Sequence, residues 1–159
     1  MKRIEVKLHL PAVAPLLDVI KGAADSLRDG LAAPLRVEGL DAEFRGEWEA
    51  ELAAAQNEDV RLLLALFGSE FFGTGIVALD EGNAEAVARA CAAVRLRLRG
   101  RALAALPDEA LEAGSVEAEQ LEEPVRRAFM CYVFLGTLLE LILSHLGSAF
   151  LGGGAAPSA

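Results

Sequence analysis

The stretch VRRAFMCYVFLGTLLELILSHLGSAFL, residues 125–151, is the longest and most apolar segment of this 159-residue chain. It predicts a helix, because apolar residues recur at steps of three and four: Val125, Ala128, Tyr132, Leu135, Leu139, Ile142 and Leu146. Phe129, Val133 and Leu138 occupy other faces of the same helix, so it is apolar almost all round. Such a helix lies either at the centre of a core or inside a membrane.

The narrow polar stripe of this helix helps to distinguish a core helix from a membrane span. At about 1.5 Å per residue the segment is long enough to cross a bilayer, and Arg126 and Arg127 resemble a cytoplasmic flank. However, Glu140 would lie near the bilayer midplane, where a carboxylate costs roughly 2.5–3.5 kcal/mol. Thr137 and Ser144 continue the polar stripe. We therefore predict a core helix and no membrane, with a membrane span as the less favoured interpretation.

Composition and charge limit the class of protein. A 53% share of apolar residues excludes disorder and supports one domain, over residues 1–151, followed by a flexible tail at 152–159. The net charge of −9 argues against nucleic-acid partners, which call for basic surfaces. Cys91 and Cys131 lie in apolar helical contexts and predict buried thiols. With no signal peptide at the start, we expect a cytoplasmic protein.

Two short segments have the character of strands. Ile4–Leu10 alternates apolar and polar residues up to Pro11, and Ile76–Leu79 is a short apolar run. Two lone strands in a helical chain are expected to pair, with helices packed on them. The predicted helices are 11–27, 41–55 and 58–67 with a break at 56–58, one from Asp80 to about Leu103, and a short one near 108–112. The predicted fold is mainly α: a single-domain bundle of about five helices with a small two-stranded β element.

The chain carries no pattern that predicts an enzyme. His9 and His145 are its only histidines, and no metal-ligand spacing accompanies them. The glycine-rich run GSEFFGTG, residues 68–75, lacks the Lys-Ser/Thr ending of a phosphate loop. We therefore expect no cofactor and no metal. Within this run Phe71 and Phe72 are predicted to plug the core, and their glycine-flanked loop is a candidate ligand site.

The only basic region is an arginine-rich segment at residues 89–101. A phosphate or nucleic-acid site is conceivable there, but no aromatic residue interleaves the arginines. The following segment, residues 107–123, carries seven acidic residues. We expect the two segments to neutralise each other, within the chain or across a dimer.

The middle of the chain contains the motifs Leu79-Asp80-Glu81, Ala84-Glu85-Ala86, Arg89-Ala90, Val94-Arg95-Leu96 and Arg101. These motifs resemble those of an uncharacterised, largely actinobacterial family of helical proteins whose genes often lie near the adaptor of the Clp protease. Asp41–Arg45 resembles the family's acidic Glu-Phe-Arg helix start. In the last helix, Tyr132, Leu135-Gly136, Leu138 and Glu140 stand where the family has Tyr, Leu-Gly, Leu and Asp.

The resemblance implies a helical fold, no established activity and a hint of regulation linked to proteolysis. This chain departs from the family pattern where Ala92-Ala93 replaces an Asn-Asp pair, and where Val87 and Thr137 replace tryptophans. The loss of the Asn-Asp pair weakens the idea of a shared polar site.

The leading functional hypothesis is a non-enzymatic protein-interaction or regulatory module. Its last helix has too little polar surface for a small monomer, so we expect a homodimer that also binds an unknown protein partner. The alternative is a small-molecule or lipid-binding domain with a pocket beside the last helix, near Phe71 and Phe72. Glu140 either pairs with Arg95 inside the protein or faces water, and the sequence leaves both open.

Overall fold

The computed structural model describes residues 2–28, 30–33, 35, 38–39 and 41–150, with side chains to residue 147. The predicted tail at 152–159 lies outside these residues. The described elements are β1 (Arg3–Lys7), α1 (Leu10–Leu27), α2 (Ala42–Ala65), α3 (Ser69–Thr74), β2 (Ile76–Asp80), α4 (Ala84–Gly100), α5 (Asp108–Ala113), a 3₁₀ turn (Ala118–Gln120) and α6 (Glu123–Phe150). The predicted fold class, mainly helical with one pair of strands, is confirmed.

Helix α6 is one side of the helical core. It packs against α4 and α1, and α4 in turn packs against α2. The side of α6 that faces the core is fully buried at Leu135, Leu138, Ile142 and Leu146, as the spacing of three and four requires. The opposite side of α6 has no described element over it, so the helix borders the core and does not run through its centre.

The two strands pair antiparallel, with Val6 opposite Val77 and Lys7 opposite Ile76. The predicted pairing is therefore confirmed, although β1 ends at Lys7 and not at Leu10. The Leu8 amide still donates to the Gly75 carbonyl at 2.8 Å, and helix α1 begins two residues later at Leu10. Gly75 has φ 75°, and a side chain at that position would meet the Leu8 carbonyl oxygen at 3.0 Å. Only glycine fits this crossing without strain.

Helix α2 runs without interruption through residues 56–58, so the predicted break is wrong. Gln56 donates through Nε2 to the carbonyl oxygens of Leu27, at 3.2 Å, and Gly30, at 3.0 Å. Its Oε1 accepts from the Ala32 amide at 2.9 Å. The polar side chain that suggested a break instead ties the middle of α2 to the end of α1. That contact is tertiary, and local propensity does not report it.

Helix α4 is shorter than predicted at both ends. Asp80 belongs to β2, and its Oδ1 accepts from the amides of Gly82, at 2.7 Å, and Asn83, at 3.1 Å. Asp80 therefore closes the turn before the helix and does not cap it. At the other end α4 stops at Gly100, and the Leu103 amide bonds back to the Leu98 carbonyl at 2.8 Å. This turn buries the Leu103 side chain.

The two thiols give the fold a pH dependence. Burial raises the pKa of Cys91 and the pKa of Cys131 from 9.0 to about 12. As the pH rises, the thiols of the unfolded chain ionise before the buried thiols of the folded protein. The stability of the folded state is therefore undiminished below pH 9 and falls as the pH rises from 9 towards 12. We expect the free energy of unfolding to fall by up to about 1.4 kcal/mol per pH unit per thiol above pH 9. Urea unfolding at stepped pH measures this fall, and the Cys91→Ala/Cys131→Ala variant is the control. Parallel pH profiles for the two proteins would contradict it.

Candidate functional site

Three of the five predicted site residues line one groove beside α6. Arg95 comes from α4, and Tyr132 and Glu140 come from α6. Phe71 and Phe72 do not line this groove. The groove encloses about 440 Å³, and α5 forms its third wall with Leu111, Glu112, Ala113 and Gly114. It is broad and open to solvent.

Arg95 lines the groove and contacts α6 at Tyr132 and Gly136. Its Nε donates to the carbonyl oxygen of Tyr132 at 3.1 Å, and its guanidinium carbon is 4.0 Å from the centre of the Tyr132 ring. A cation over an aromatic face at this distance is attracted by the ring. Gly136 makes the approach possible, because a Cβ there would lie 3.0 Å from Nη2 of Arg95. The arginine is therefore positioned by the backbone and the ring of α6.

Arg99 holds the third wall in place. Its Nε donates to Asp108 at 2.9 Å and its Nη2 donates to Glu112 at 3.3 Å, both on α5. These pairs confirm, within the chain, the expected neutralisation between the arginine-rich and acidic segments. Their carboxylates raise the pKa of Arg99. Arg99 therefore links α5, the third wall of the groove, to α4.

Glu140 is exposed, one helical turn beyond Gly136. Within the part of the chain that the structure describes, neither Glu140 nor Arg95 forms an ion pair. The buried Glu140–Arg95 pair is therefore not formed inside one chain, and the alternative, in which Glu140 faces water, is correct. Arg95 instead donates to the Tyr132 carbonyl oxygen and lies over the Tyr132 ring.

An exposed Glu140 predicts a small effect on the fold. We expect Glu140→Ala to change the free energy of unfolding of the monomer by no more than about 0.5 kcal/mol, as for most surface substitutions. Urea unfolding at protein concentrations low enough to exclude association measures this value. A loss of about 3 kcal/mol or more would mean that a buried partner had been left unpaired.

The side of α6 that faces away from the core exposes large apolar residues beside the polar stripe of Thr137, Glu140 and Ser144. Met130 is 44% exposed, Val133 48% and Leu143 44%. Within the described residues, α6 is the one helix that is long and apolar enough to cross a membrane, over Glu123–Gly147. Only 33% of its most apolar window is buried within the protein. An apolar surface of this kind usually marks a contact with a partner.

The aromatic pair occupies a different place from the one predicted. Phe71 and Phe72 lie on α3, which begins after Gly68 and ends at Gly75 in the left-handed conformation. Phe71 is fully buried and packs edge-on against Phe67, with ring centres 5.2 Å apart. Phe72 is 51% exposed. The loop assignment is therefore wrong, and of the two residues only Phe71 plugs the core.

A second groove, between α2 and α4, contains a polar contact that sequence reasoning missed. Arg89 donates to both carboxylate oxygens of Asp59, at 2.9 and 3.0 Å, and this hydrogen bonding raises the pKa of Arg89. The whole groove has a volume of about 410 Å³ and is otherwise lined mainly by apolar residues such as Leu52 and Leu96. The only signal in the sequence was an acidic residue beside the inward-facing Val60. This pair fixes α2 to α4.

Among the residues that the structure describes, no group of three or more His, Cys, Asp or Glu side chains is placed to hold a metal ion. The groove beside α6 offers one guanidinium, one carboxylate on each of two walls and an apolar surface. Such an arrangement can bind another protein or a small amphipathic molecule by shape and charge.

The chain belongs to the family described as "Domain of unknown function (DUF2017)", whose family model matches residues 21–146. The match runs from α1 into α6 and includes every residue that lines the groove beside α6. No match was found among curated proteins or among solved structures.

Proposed function

We propose that this DUF2017 protein is a non-enzymatic, cytoplasmic module that forms a homodimer through α6 and presents the dimer to another protein. The observation that carries the proposal is the apolar exposed side of α6. We call the outward row Met130, Val133, Thr137, Glu140, Leu141 and Ser144 the α6 face. Glu140 is the one charged residue among these six, and a low share of charged residues is typical of the core of an interface.

The size of the α6 face favours a contact that includes the neighbouring groove. The α6 face runs from Met130 to Ser144, which is about 21 Å along a helix 10–12 Å wide, so it projects roughly 230 Å². A stable interface buries about 800 Å² on each partner. The walls of the groove, from Leu111 to Gly114 and at Arg95, supply further surface on the same side of α6.

A second copy fits the α6 face better than a lipid bilayer does. Thr137, Glu140 and Ser144 run along the same outward side as Met130 and Val133. In a bilayer each polar group would face hydrocarbon, and the carboxylate alone would cost roughly 2.5–3.5 kcal/mol. In a protein interface the same groups can bind polar groups of the partner and retain water at the rim.

The proposed module acts on proteins and not on nucleic acid. The net charge is −9, and the arginines at positions 89 and 99 are paired with carboxylates. A regulatory role linked to proteolysis agrees with the gene neighbourhood and the actinobacterial range that the resemblance implies. We expect a native pull-down with wild-type protein to retain a partner that a monomeric variant does not retain.

Light scattering over a concentration series tests the proposed dimer. We expect the molar mass to approach twice the 16.8 kDa of one chain and to fall towards it on dilution. A mass of one chain at every concentration would contradict the proposal. A mass that doubles only when detergent is present would favour the membrane interpretation.

A second candidate function is the binding of a small anionic, amphipathic molecule in the groove beside α6. The groove favours it because it places the Arg95 guanidinium beside the apolar walls formed by Leu139 and Leu143. Native mass spectrometry of freshly purified protein distinguishes the two functions. A bound small molecule on a single chain supports this candidate, and a ligand-free dimer supports self-association.

A further inference from the structure

We infer that Glu140 of one chain binds Arg95 of a second copy, so that the dimer carries two symmetric ion pairs across the α6 faces. This inference rests on the proposed function, because it names the polar contacts of the same interface. It assigns roles to two residues that line one groove and yet remain apart within a single chain.

Arg95 has unused donors directed towards the groove. Its Nε donates to the Tyr132 carbonyl oxygen, and its guanidinium carbon lies over the Tyr132 ring, 4.0 Å from the ring centre. Neither Nη1 nor Nη2 has an acceptor among the described residues. A guanidinium offers five N–H donors and binds a carboxylate best through two of them. The arginine is thus held by one edge, and its other edge is available to a second molecule.

Glu140 is the matching group on the same helix. Its carboxylate is exposed and has no ion-pair partner within the described chain. Arg95 lies beside Tyr132 and Gly136, about one turn before Glu140 along α6. In a two-fold dimer with parallel helices, each residue lies at the height of its own counterpart, so Glu140 of one copy and Arg95 of the other can meet only when the two α6 helices run antiparallel.

A two-fold axis at Thr137 brings them together. In an antiparallel pair with the axis perpendicular to both helices, Glu140 of one copy lies at the height of Phe134 of the other, between Tyr132 and Gly136. The same axis keeps the grooves of both copies on one side of the interface. It also places Val133 opposite Leu141, so apolar residues of the α6 faces meet. A two-fold contact is the commonest form of homo-oligomer.

Exchanging the charges in separate chains tests the inference. Arg95→Glu and Glu140→Arg should each raise the dimer Kd by at least about 10-fold, because each homodimer then opposes like charges twice. In an equimolar mixture, the heterodimer has one reversed pair and one native pair, both attractive. We expect native mass spectrometry of the mixture to show heterodimers well above the statistical share of about one half.

Two controls make the result interpretable. Glu47→Arg makes the same charge change on the exposed surface of α2 and should leave the dimer Kd unchanged. If Arg95→Glu fails to fold, Arg95→Gln replaces it. Its heterodimer with Glu140→Arg keeps one native pair and should still exceed both homodimers.

The possible outcomes separate this inference from the proposed function. Wild-type protein that is dimeric, with both single variants as dimeric as wild type, overturns the ion pairs and leaves the α6 dimer standing. A mixture that dimerises no better than the single variants also overturns them. Wild-type protein that is monomeric at every concentration overturns the inference and the proposed function together.

Discussion

Replacing Val133 by arginine is expected to raise the Kd of the dimer by at least about 100-fold, a loss of roughly 2.7 kcal/mol. Val133 is 48% exposed in the single chain and lies at the middle of the α6 face. In the proposed dimer Val133 lies opposite Leu141 of the second copy, so the longer charged side chain would replace an apolar contact and its guanidinium would lose water there. Light scattering or sedimentation measures the shift in Kd.

The same substitution should leave the monomer folded. An exposed arginine on a helix can extend its charged end into water, so we expect the free energy of unfolding to change by about 0.5 kcal/mol or less. Leu96→Arg is the matched control, because Leu96 is 42% exposed on α4 and lines the other groove. Equal dimerisation of the two variants would show that the α6 face is not the interface.

Replacing Phe71 by alanine is expected to lower the free energy of unfolding by about 3–5 kcal/mol, the usual cost of deleting a buried aromatic ring. Phe71 is 0% exposed and packs edge-on against Phe67. Phe67 also contacts Phe134 of α6, with ring centres 6.2 Å apart. The cavity would therefore loosen the contact of α3 with the core at the point where α6 passes. Denaturant unfolding measures the loss.

The neighbouring residue provides an internal control. Phe72 is 51% exposed, and its ring centre is 5.4 Å from that of Phe71. We expect Phe72→Ala to cost about 1 kcal/mol or less, because the ring loses little buried surface and one edge-to-face contact. Similar losses for Phe71→Ala and Phe72→Ala would mean that α3 is not seated as the structure has it.

Periodicity predicted the elements of this fold well where burial follows one face of a helix. The stripe of α6 through Leu135 and Ile142 is buried, and so is the stripe of α4 through Cys91 and Val94. The pairing of β1 with β2 was also predicted correctly, because the sequence contains only two strand-like segments and each needs a partner. These features depend on spacing within one segment, and spacing is visible in a sequence.

Features that depend on two distant segments were predicted less well. The break predicted at Gln56 is absent because its amide binds the end of α1, 26–29 residues away. Arg89 and Asp59 are 30 residues apart, and neither segment contains a pattern that predicts this ion pair. The glycines flanking Phe71 suggested a loop, whereas they begin and end a short helix.

The sequence predicted three residues of the candidate site but not how they are arranged. Arg95, Tyr132 and Glu140 were singled out from separate motifs, and the structure places them along one groove. Whether Glu140 pairs with Arg95 depends on how far along α6 the guanidinium lies. Gly136 determines this position, because the lack of a side chain there leaves room for the Arg95 guanidinium beside Tyr132.

Disulfide trapping at Thr137 tests most directly the central claim, that two copies pack α6 against α6 about a two-fold axis. Thr137 is exposed at the middle of the α6 face. Cysteine is introduced there in a Cys91→Ala/Cys131→Ala background, and at Glu47 on α2 as the control. Because a disulfide requires Cα atoms within about 7 Å, the claim predicts a covalent dimer from Thr137→Cys and very little from Glu47→Cys. Equal cross-linking at the two positions, or none at Thr137, would contradict it.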